Sequence, residues 1–148
     1  MATARMRKTV TIDAPLAFVF ERMVDHEAMS DWPGVSGATL SVEGSPTRNG
    51  LGAVRVIKAK GLALHEEVVH FEPPHRYDYS IIKGLPVDHL GTVRLEEIGD
   101  SVELSWEVTI SSAWPFLAQI VTGLLARELP TALAHLKRDT ERRFEQQS

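Results

Sequence analysis

The chain has 148 residues, which fits one domain, and its 43% hydrophobic and 24% charged residues are ordinary for a soluble globular protein. A net charge of −4 and a pI near 5.8 give no indication of a phosphate-binding surface, so we expect no nucleic-acid partner. The absence of cysteine excludes disulfides and thiolate chemistry, argues against a zinc site and fits a reducing cytoplasm.

The sequence predicts neither a signal peptide nor a membrane span. The N-terminal "MATARMRKTVTIDAP" lacks the apolar core of a signal peptide. The longest mostly apolar stretch, "AWPFLAQIVTGLLA" (113–126), is too short to span a bilayer. We therefore expect a cytoplasmic protein without stable membrane insertion.

The first elements are a strand and two short helices. "MRKTVTI" (6–12) reads as a strand, and Asp13 is a candidate cap for the helix "LAFVFERMV" (16–24). Leu16, Val19, Phe20 and Met23 share one face of that helix. A second helical piece, "DHEAMSDW" (25–32), stops at a Pro-Gly pair.

Six strands and one long helix follow. Turn signals separate strands predicted at 36–43, 52–60, 63–72, 76–83, 88–97 and 102–111. From Trp114 the pattern is helical almost to the end, and Pro130 removes one helical hydrogen bond. The apolar stripe of this helix is predicted to comprise Leu117, Ile120, Val121, Leu124, Leu125, Leu129, Leu133 and Leu136.

This order predicts an α+β fold for residues 1–148 as a single domain. To bury one long apolar helix, a seven-stranded antiparallel sheet must curve around it. The strings "VTIDAPLAFVFERMVDHEAMSDW", "GLGAVRVI", "HEEVVHFEPPHRYDYSI", "VELSWEV" and "LPTALAHLKRDTERRF" resemble, in this order, the START-like and Bet v 1-like (SRPBCC) superfamily, particularly its polyketide cyclase/dehydrase and lipid-transport branch. The resemblance implies a helix-grip fold around an apolar ligand cavity, with activities that differ widely among members.

Strand alternation indicates which side chains face the cavity. In "VELSWEVTI" (102–110), Trp106 and Val108 fall on the apolar face, and a turn at "IGDS" places Val93 opposite Trp106. The same register brings His89 to the inner face, near the rim of the cavity.

The hairpin "HEEVVHFEPPHRYDYS" (65–80) allows two registers, which differ in the length of its loop. An even loop places one set of residues inside: Leu64, Glu66, Val68, His70, Tyr77, Tyr79 and Ile81. The second, more charged set faces solvent: His65, Glu67, Val69, Phe71, Arg76, Asp78 and Ser80. An odd loop would exchange Glu66 for Glu67. A two-residue loop at Gly61-Leu62 then places Arg55 inside, diagonal to Glu66.

The predicted ligand-binding residues are Arg55, Glu66, Val68, Tyr77, Tyr79, His89, Val93, Trp106, Val108, Leu117, Ile120 and Leu124. The Arg55–Glu66 pair is either a structural ion pair, an anchor for a ligand carbonyl, or an acid/base group. No residue is assigned a catalytic role and no cofactor is expected. The six histidines lack the spacing of metal ligands, so we expect no metal site.

The preferred hypothesis is a binding protein for a small hydrophobic or aromatic molecule, held in a cavity between the sheet and the C-terminal helix. The alternative is a polyketide cyclase/dehydratase-type enzyme that gives acid/base assistance to a bound polyketone. A third is an interaction protein whose apolar groove takes a lipid tail or a partner segment. The sequence names neither the ligand nor the oligomeric state.

Overall fold

The computed structural model describes residues 2–147, which form seven strands, two α-helices and one 3₁₀ helix. In chain order they are β1 (Ala2–Ile12), α1 (Leu16–Val24), the 3₁₀ helix (His26–Asp31), β2 (Val35–Val42), β3 (Val54–Ala59), β4 (Leu62–Glu72), β5 (Arg76–Lys83), β6 (Asp88–Ile98), β7 (Ser101–Ser112) and α2 (Leu117–Gln146). This order confirms the predicted α+β helix-grip fold.

The seven strands form one antiparallel sheet in the order β1-β7-β6-β5-β4-β3-β2. Only β1 leaves the sequential order, because it pairs with the last strand. Helix α2 packs against β1, β7 and α1. The helix therefore covers the β1–β7 half of the inner face and leaves the β3–β5 half to be closed by other elements.

Helix α1 buries the predicted face, since Leu16, Val19, Phe20 and Met23 are all buried. The predicted cap is wrong, because Pro15 occupies the N-cap position and its side chain makes no capping hydrogen bond. Asp13 lies two residues too early to reach the N–H groups of the helix. Its carboxylate instead accepts a hydrogen bond from the Ser101 hydroxyl at the start of β7.

The apolar stripe of α2 is confirmed only in its second half. The helix buries Ala118, Thr122, Leu129, Leu133, Leu136 and Thr140. The predicted Ile120 and Leu124 are 58% and 47% exposed, and Leu117 is half-buried. Small side chains at 118 and 122, four residues apart, take the inward face of the first turns and rotate Ile120 and Leu124 towards solvent.

Two hairpins determine the position of Arg55 and its neighbours. Between β6 and β7 the register is the predicted one, with Val93 opposite Trp106. Between β3 and β4 the turn is Lys60-Gly61, one residue earlier than predicted. Both turn residues have positive φ, 52° and 76°, as a type I′ turn requires. This moves the register by two positions, so Arg55 lies directly opposite Glu66 rather than diagonal to it.

The β4–β5 hairpin combines an odd loop with a β-bulge. Its loop is the three residues 73–75, and Val69 has no partner because the register shifts between Val68 and His70. The bulge cancels the odd loop, so Val68 faces Tyr79 as predicted, and Glu66 rather than Glu67 faces inward. Near the loop the predicted faces are wrong for two residues of β4, because His70 turns outward and Phe71 turns inward, while Tyr77 on β5 faces inward as predicted.

Candidate functional site

A cavity of about 160 Å³ lies between α2 and the β3–β5 half of the sheet. Its lining residues are Met29, Trp32, Pro33, Gly34, Val35, Arg55, Ile57, Ala59, Leu64, Glu66, Tyr79, Trp106, Leu125, Glu128, Leu129 and Ala132. The walls are mostly apolar, and Arg55, Glu66 and Tyr79 place polar atoms among them, which is the usual composition of a small-molecule pocket.

The cavity opens where its lining residues are exposed or half-buried, at the 33–35 loop, the β3–β4 turn and the middle of α2. We call this opening the mouth. An ion pair lies at its edge, with the Lys60 ammonium nitrogen 2.5 Å from Oε1 of Glu128, a residue that lines the cavity. Both side chains are substantially exposed, so this is a solvated contact between a turn and a helix.

Arg55 and Glu66 form an ion pair at the cavity wall. Nε of Arg55 donates to Oε1 of Glu66 across 2.9 Å, and the two residues are direct cross-strand partners. The Arg55 side chain is 0% exposed and that of Glu66 is 12% exposed. Burial raises the pKa of Glu66, and the neighbouring guanidinium opposes this rise. Because Arg55 stays charged at all accessible pH values, the pair is neutral overall when Glu66 is ionised.

His26 is a third member of this polar group, and the sequence analysis missed it. Its Nε2 meets Nη1 of Arg55, and its side chain is fully buried. Burial and the guanidinium together hold its pKa well below the usual value, so the imidazole is neutral. The available signal was the spacing of His26 and Met29, which share the buried face of the 3₁₀ helix three residues apart.

Tyr77 and Tyr79 contact the guanidinium from β5. The carbon at its centre lies 4.5 Å from the ring centroid of Tyr79 and 5.8 Å from that of Tyr77, within the range of cation–π attraction. Burial raises the pKa of Tyr77 to about 12 and that of Tyr79 well above its usual value. The Tyr79 hydroxyl accepts a hydrogen bond of 2.8 Å from Nε1 of Trp106, which leaves its own proton free to be donated.

Tyr79, Trp106, Arg55 and Glu66 are thus the predicted residues that line the cavity. Five others, namely Val68, Tyr77, His89, Val93 and Val108, are buried on the inner face but lie behind that lining.

His89 supports the wall from behind, with its ring centroid 5.2 Å from that of Tyr79. Its Nδ1 accepts a hydrogen bond from the backbone N–H of Ile81, and burial lowers its pKa to about 4.

The three predicted residues of α2 do not line the cavity. Leu117, Ile120 and Leu124 lie on the first two turns of the helix, whose inward face is taken by smaller side chains. The helix contributes Leu125, Glu128, Leu129 and Ala132 instead.

The polar groups of the cavity differ in whether their hydrogen-bonding capacity is already used within the protein. Nη2 of Arg55 is buried and has no hydrogen-bond partner among residues 2–147. The hydroxyl of Tyr79 also retains a donor, and one oxygen of the Glu66 carboxylate accepts from Arg55. The buried hydroxyl of Tyr77 is likewise without a partner among the described residues. The cavity wall therefore holds N–H and O–H donors beside a buried carboxylate with a raised pKa.

A larger depression, of about 360 Å³, lies on the outer face of the sheet. Most of its walls are charged or polar side chains, among them Arg7, Arg94, Glu96 and Glu103. It lacks the apolar walls expected of a small-molecule pocket. The internal cavity is the better candidate site.

Two further structural findings concern residues 2–147. No helix in this range is both long and apolar enough for a membrane crossing. Within the same range, no three side chains of His, Asp or Glu are grouped in a way that could hold a metal ion.

Comparison with known proteins gives a family and a fold. A family model described as "Polyketide cyclase / dehydrase and lipid transport" matches residues 3–141. A START superfamily protein from Mycobacterium smegmatis is 18% identical and superposes with a TM-score of 0.76, covering 97% of this chain and 99% of its own. The structure of Ara h 8.0201 is 16% identical with a TM-score of 0.71, covering 94% of this chain and 98% of its own.

The third similar structure is the di-domain ARO/CYC StfQ from the steffimycin biosynthetic pathway. It is 10% identical and has a TM-score of 0.77, with 95% of this chain matched to 51% of that chain. At these identities the solved structures show a shared fold. A search of curated protein sequences found no match.

Proposed function

The chain belongs to the polyketide cyclase/dehydrase and lipid-transport family, and from this membership we propose that it binds a small hydrophobic or aromatic molecule in the internal cavity. The observation that carries the proposal is the buried, donor-rich wall formed by Arg55 and Tyr79 inside a mostly apolar cavity. Apolar walls supply most of the affinity of such a pocket, and its few polar groups fix the orientation of the ligand.

The size of the cavity favours a compact ligand. A dry engineered cavity of about 150 Å³ accepts benzene. At about 160 Å³ this cavity is of the same class, so one aromatic ring with a short substituent is the natural occupant.

The polar end of this ligand is expected to be a neutral hydrogen-bond acceptor. Arg55 and Tyr79 offer donors, which favour a ligand whose polar end accepts hydrogen bonds. The charge of Arg55 is already balanced by Glu66. A carboxylate ligand would add a second negative charge beside Glu66 in a desolvated site, at an energetic cost that a ketone avoids.

A matched pair of ligands tests this proposal. Acetophenone carries a neutral carbonyl, and benzoate has a similar size but a negative charge. We expect acetophenone to shift the indole N–H resonance of Trp106 in a saturable titration, with the resonance assigned from a Trp106→Phe variant. Benzoate should bind more weakly. If neither compound binds, the cavity is not a ligand site of this size, and tighter binding of benzoate would indicate an anion site instead.

A second candidate is a cyclase/dehydratase-type enzyme, favoured by the raised pKa of the buried Glu66. In this reaction class Glu66 would transfer a proton to or from a bound polyketone while Arg55 polarises a carbonyl. Glu66→Gln keeps the shape and removes the titrating proton. Unchanged binding of acetophenone with lost turnover of a polyketone substrate would support the enzyme, and turnover that survives Glu66→Gln would exclude this role.

A further inference from the structure

The Arg55 guanidinium is held by His26 as well as by its ion pair with Glu66. Of the three guanidinium nitrogens, Nε donates to Glu66 and Nη1 meets Nε2 of His26, while Nη2 has no partner within residues 2–147. Two fixed contacts define the plane of a planar guanidinium, so together they determine where the third nitrogen points.

We propose that His26 is a positioning residue, which orients the Arg55 guanidinium so that Nη2 is presented to the acceptor group of the ligand. The inference rests on the proposed ligand-binding function. It assigns specificity for an acceptor oxygen to a side chain that does not itself line the cavity.

The chemistry of the contact determines the tautomer of His26. Arginine nitrogens only donate hydrogen bonds, so Nε2 of His26 has to be the acceptor and carry no proton. In a neutral imidazole the proton then lies on Nδ1. Asn49 is the neighbouring side chain that opposes the lowering of the His26 pKa, as a hydrogen-bond acceptor does. Nδ1 of His26 and Oδ1 of Asn49 are both buried, and neither has a hydrogen-bond partner within residues 2–147.

The packing around His26 fixes the position of its ring. Its side chain is 0% exposed, and its ring lies edge-on to that of Tyr77 at a centroid distance of 6.1 Å. It is therefore out of reach of solvent and held on several sides, as a positioning group has to be.

The test measures selectivity rather than affinity alone. α-Methylstyrene has the shape of acetophenone, with a methylene group in place of the carbonyl oxygen, so the ratio of the two dissociation constants reports the hydrogen bond to Nη2. In His26→Phe we expect this ratio to fall about tenfold in favour of the hydrocarbon, which is the value of one ordinary hydrogen bond. His26→Gln, whose amide oxygen can still accept from Nη1, should retain most of the wild-type ratio.

A structural role alone predicts a different result. Both dissociation constants would then rise by the same factor in His26→Phe, and an unchanged ratio would overturn the inference. If the wild-type protein binds neither compound, the proposed ligand-binding function is wrong. The orientation of Arg55 by His26 is then tested by the following measurement, which needs no ligand.

A measurement on the wild-type protein is independent of whether the variants fold. Heteronuclear NMR of the ring nitrogens of His26 should show a protonated Nδ1 and an unprotonated Nε2. The opposite tautomer, or a doubly protonated ring near neutral pH, would contradict the inference.

Discussion

Arg55 and Glu66 are each other's main electrostatic support, and removing one strands the other in a buried site. Breaking a buried pair costs about 3–5 kcal/mol, so Arg55→Ala and Glu66→Ala should each lower the free energy of unfolding by an amount of this order. The double variant should cost clearly less than the sum, because contacting residues are not additive. Urea denaturation of the four proteins of the cycle measures this coupling.

The exposed pair Arg48–Glu27 is a matched control, with side chains 54% and 45% exposed. Its two single alanine variants should each cost no more than about 1 kcal/mol. Small and additive losses at Arg55 and Glu66, of the size found for the control pair, would mean that neither charge is buried.

The Tyr79 ring packs against Gly91, in space that any larger side chain at this position would fill. A Cβ at this position would lie 2.3 Å from the ring, closer than real contacts allow. Gly91→Ala should therefore push Tyr79 off its position, with a loss of about 1–3 kcal/mol and a changed indole resonance of Trp106, its hydrogen-bond partner. Gly123→Ala, which meets nothing within 4 Å on α2, should instead stabilise the protein slightly. Equal effects of the two substitutions would contradict this account.

His89 makes stability depend on pH. Its pKa is about 4 in the folded protein and near 6.5 when unfolded, so the unfolded chain takes up the proton first as the pH falls. Its contribution is complete above pH about 6.5 and is lost as the pH approaches about 4, with a full value of about 3 kcal/mol. His26, whose pKa is also lowered, acts in the same direction, while Glu66, whose pKa is raised, acts in the opposite one.

His89→Gln removes this titration and keeps an acceptor for the backbone N–H of Ile81. We expect its free energy of unfolding to fall less than that of the wild type between about pH 7 and pH 5, as measured by urea denaturation. Identical slopes for the two proteins would mean that His89 does not titrate on unfolding in this range.

Helix α2 has two different halves. Leu133 is buried in the core, so Leu133→Ala should cost about 2–5 kcal/mol. Ile120 is mostly exposed, and Ile120→Gln should change the free energy of unfolding by no more than about 0.5 kcal/mol. Thermal unfolding of both variants distinguishes this arrangement from the continuous stripe predicted from the sequence, under which both changes would be costly.

A structural feature could be predicted from the sequence when neighbouring residues carry a signal for it. The Gly99-Asp100 turn is a strong two-residue signal, and it gave the correct pairing of Val93 with Trp106. The bulge at Val69 has no such signal, because alternation alone does not mark an unpaired residue. His26 lay outside any strand or long helix, so no period connected it to Arg55, and only tertiary packing brings the two together.

The buried face of the first turns of α2 was predicted wrongly for a different reason. Apolar residues there follow a helical period on more than one face, since Ala118 and Thr122 are spaced four apart just as Ile120 and Leu124 are. Hydropathy favours the larger side chains, and close packing selected the smaller ones. The candidate site was therefore predicted best where strands form it and least where helices do.

The placement of α2 explains why a cavity exists at all. The helix packs on β1 and β7 at one side of the sheet, so the inner face of β3–β5 is covered by several elements, namely α1 through Phe20, the 3₁₀ helix, the 33–35 loop and one side of α2. Several short elements fill the space over a sheet less closely than one continuous helix does. The largest polar groups, Arg55 and Glu66, lie in this less tightly covered half.

The Lys60–Glu128 ion pair is expected to affect the rates of ligand binding and release rather than the affinity. It joins the β3–β4 turn to α2 at the edge of the mouth, so we expect it to open when a molecule enters or leaves. It makes no contribution specific to the bound state. Removing it should therefore speed association and dissociation by the same factor, about two- to fivefold for an exposed pair, and leave the dissociation constant unchanged.

Lys60→Asn suits this measurement, because asparagine tolerates the positive φ of 52° at this turn better than lysine does. Glu128→Gln should give the same acceleration from the other side of the mouth. Exchange rates of acetophenone from NMR line shapes provide the readout. A change in the dissociation rate alone, with the dissociation constant changed by the same factor, would show that the pair acts on the bound ligand itself. Unchanged rates in both variants would show that the residence time of the ligand is set elsewhere.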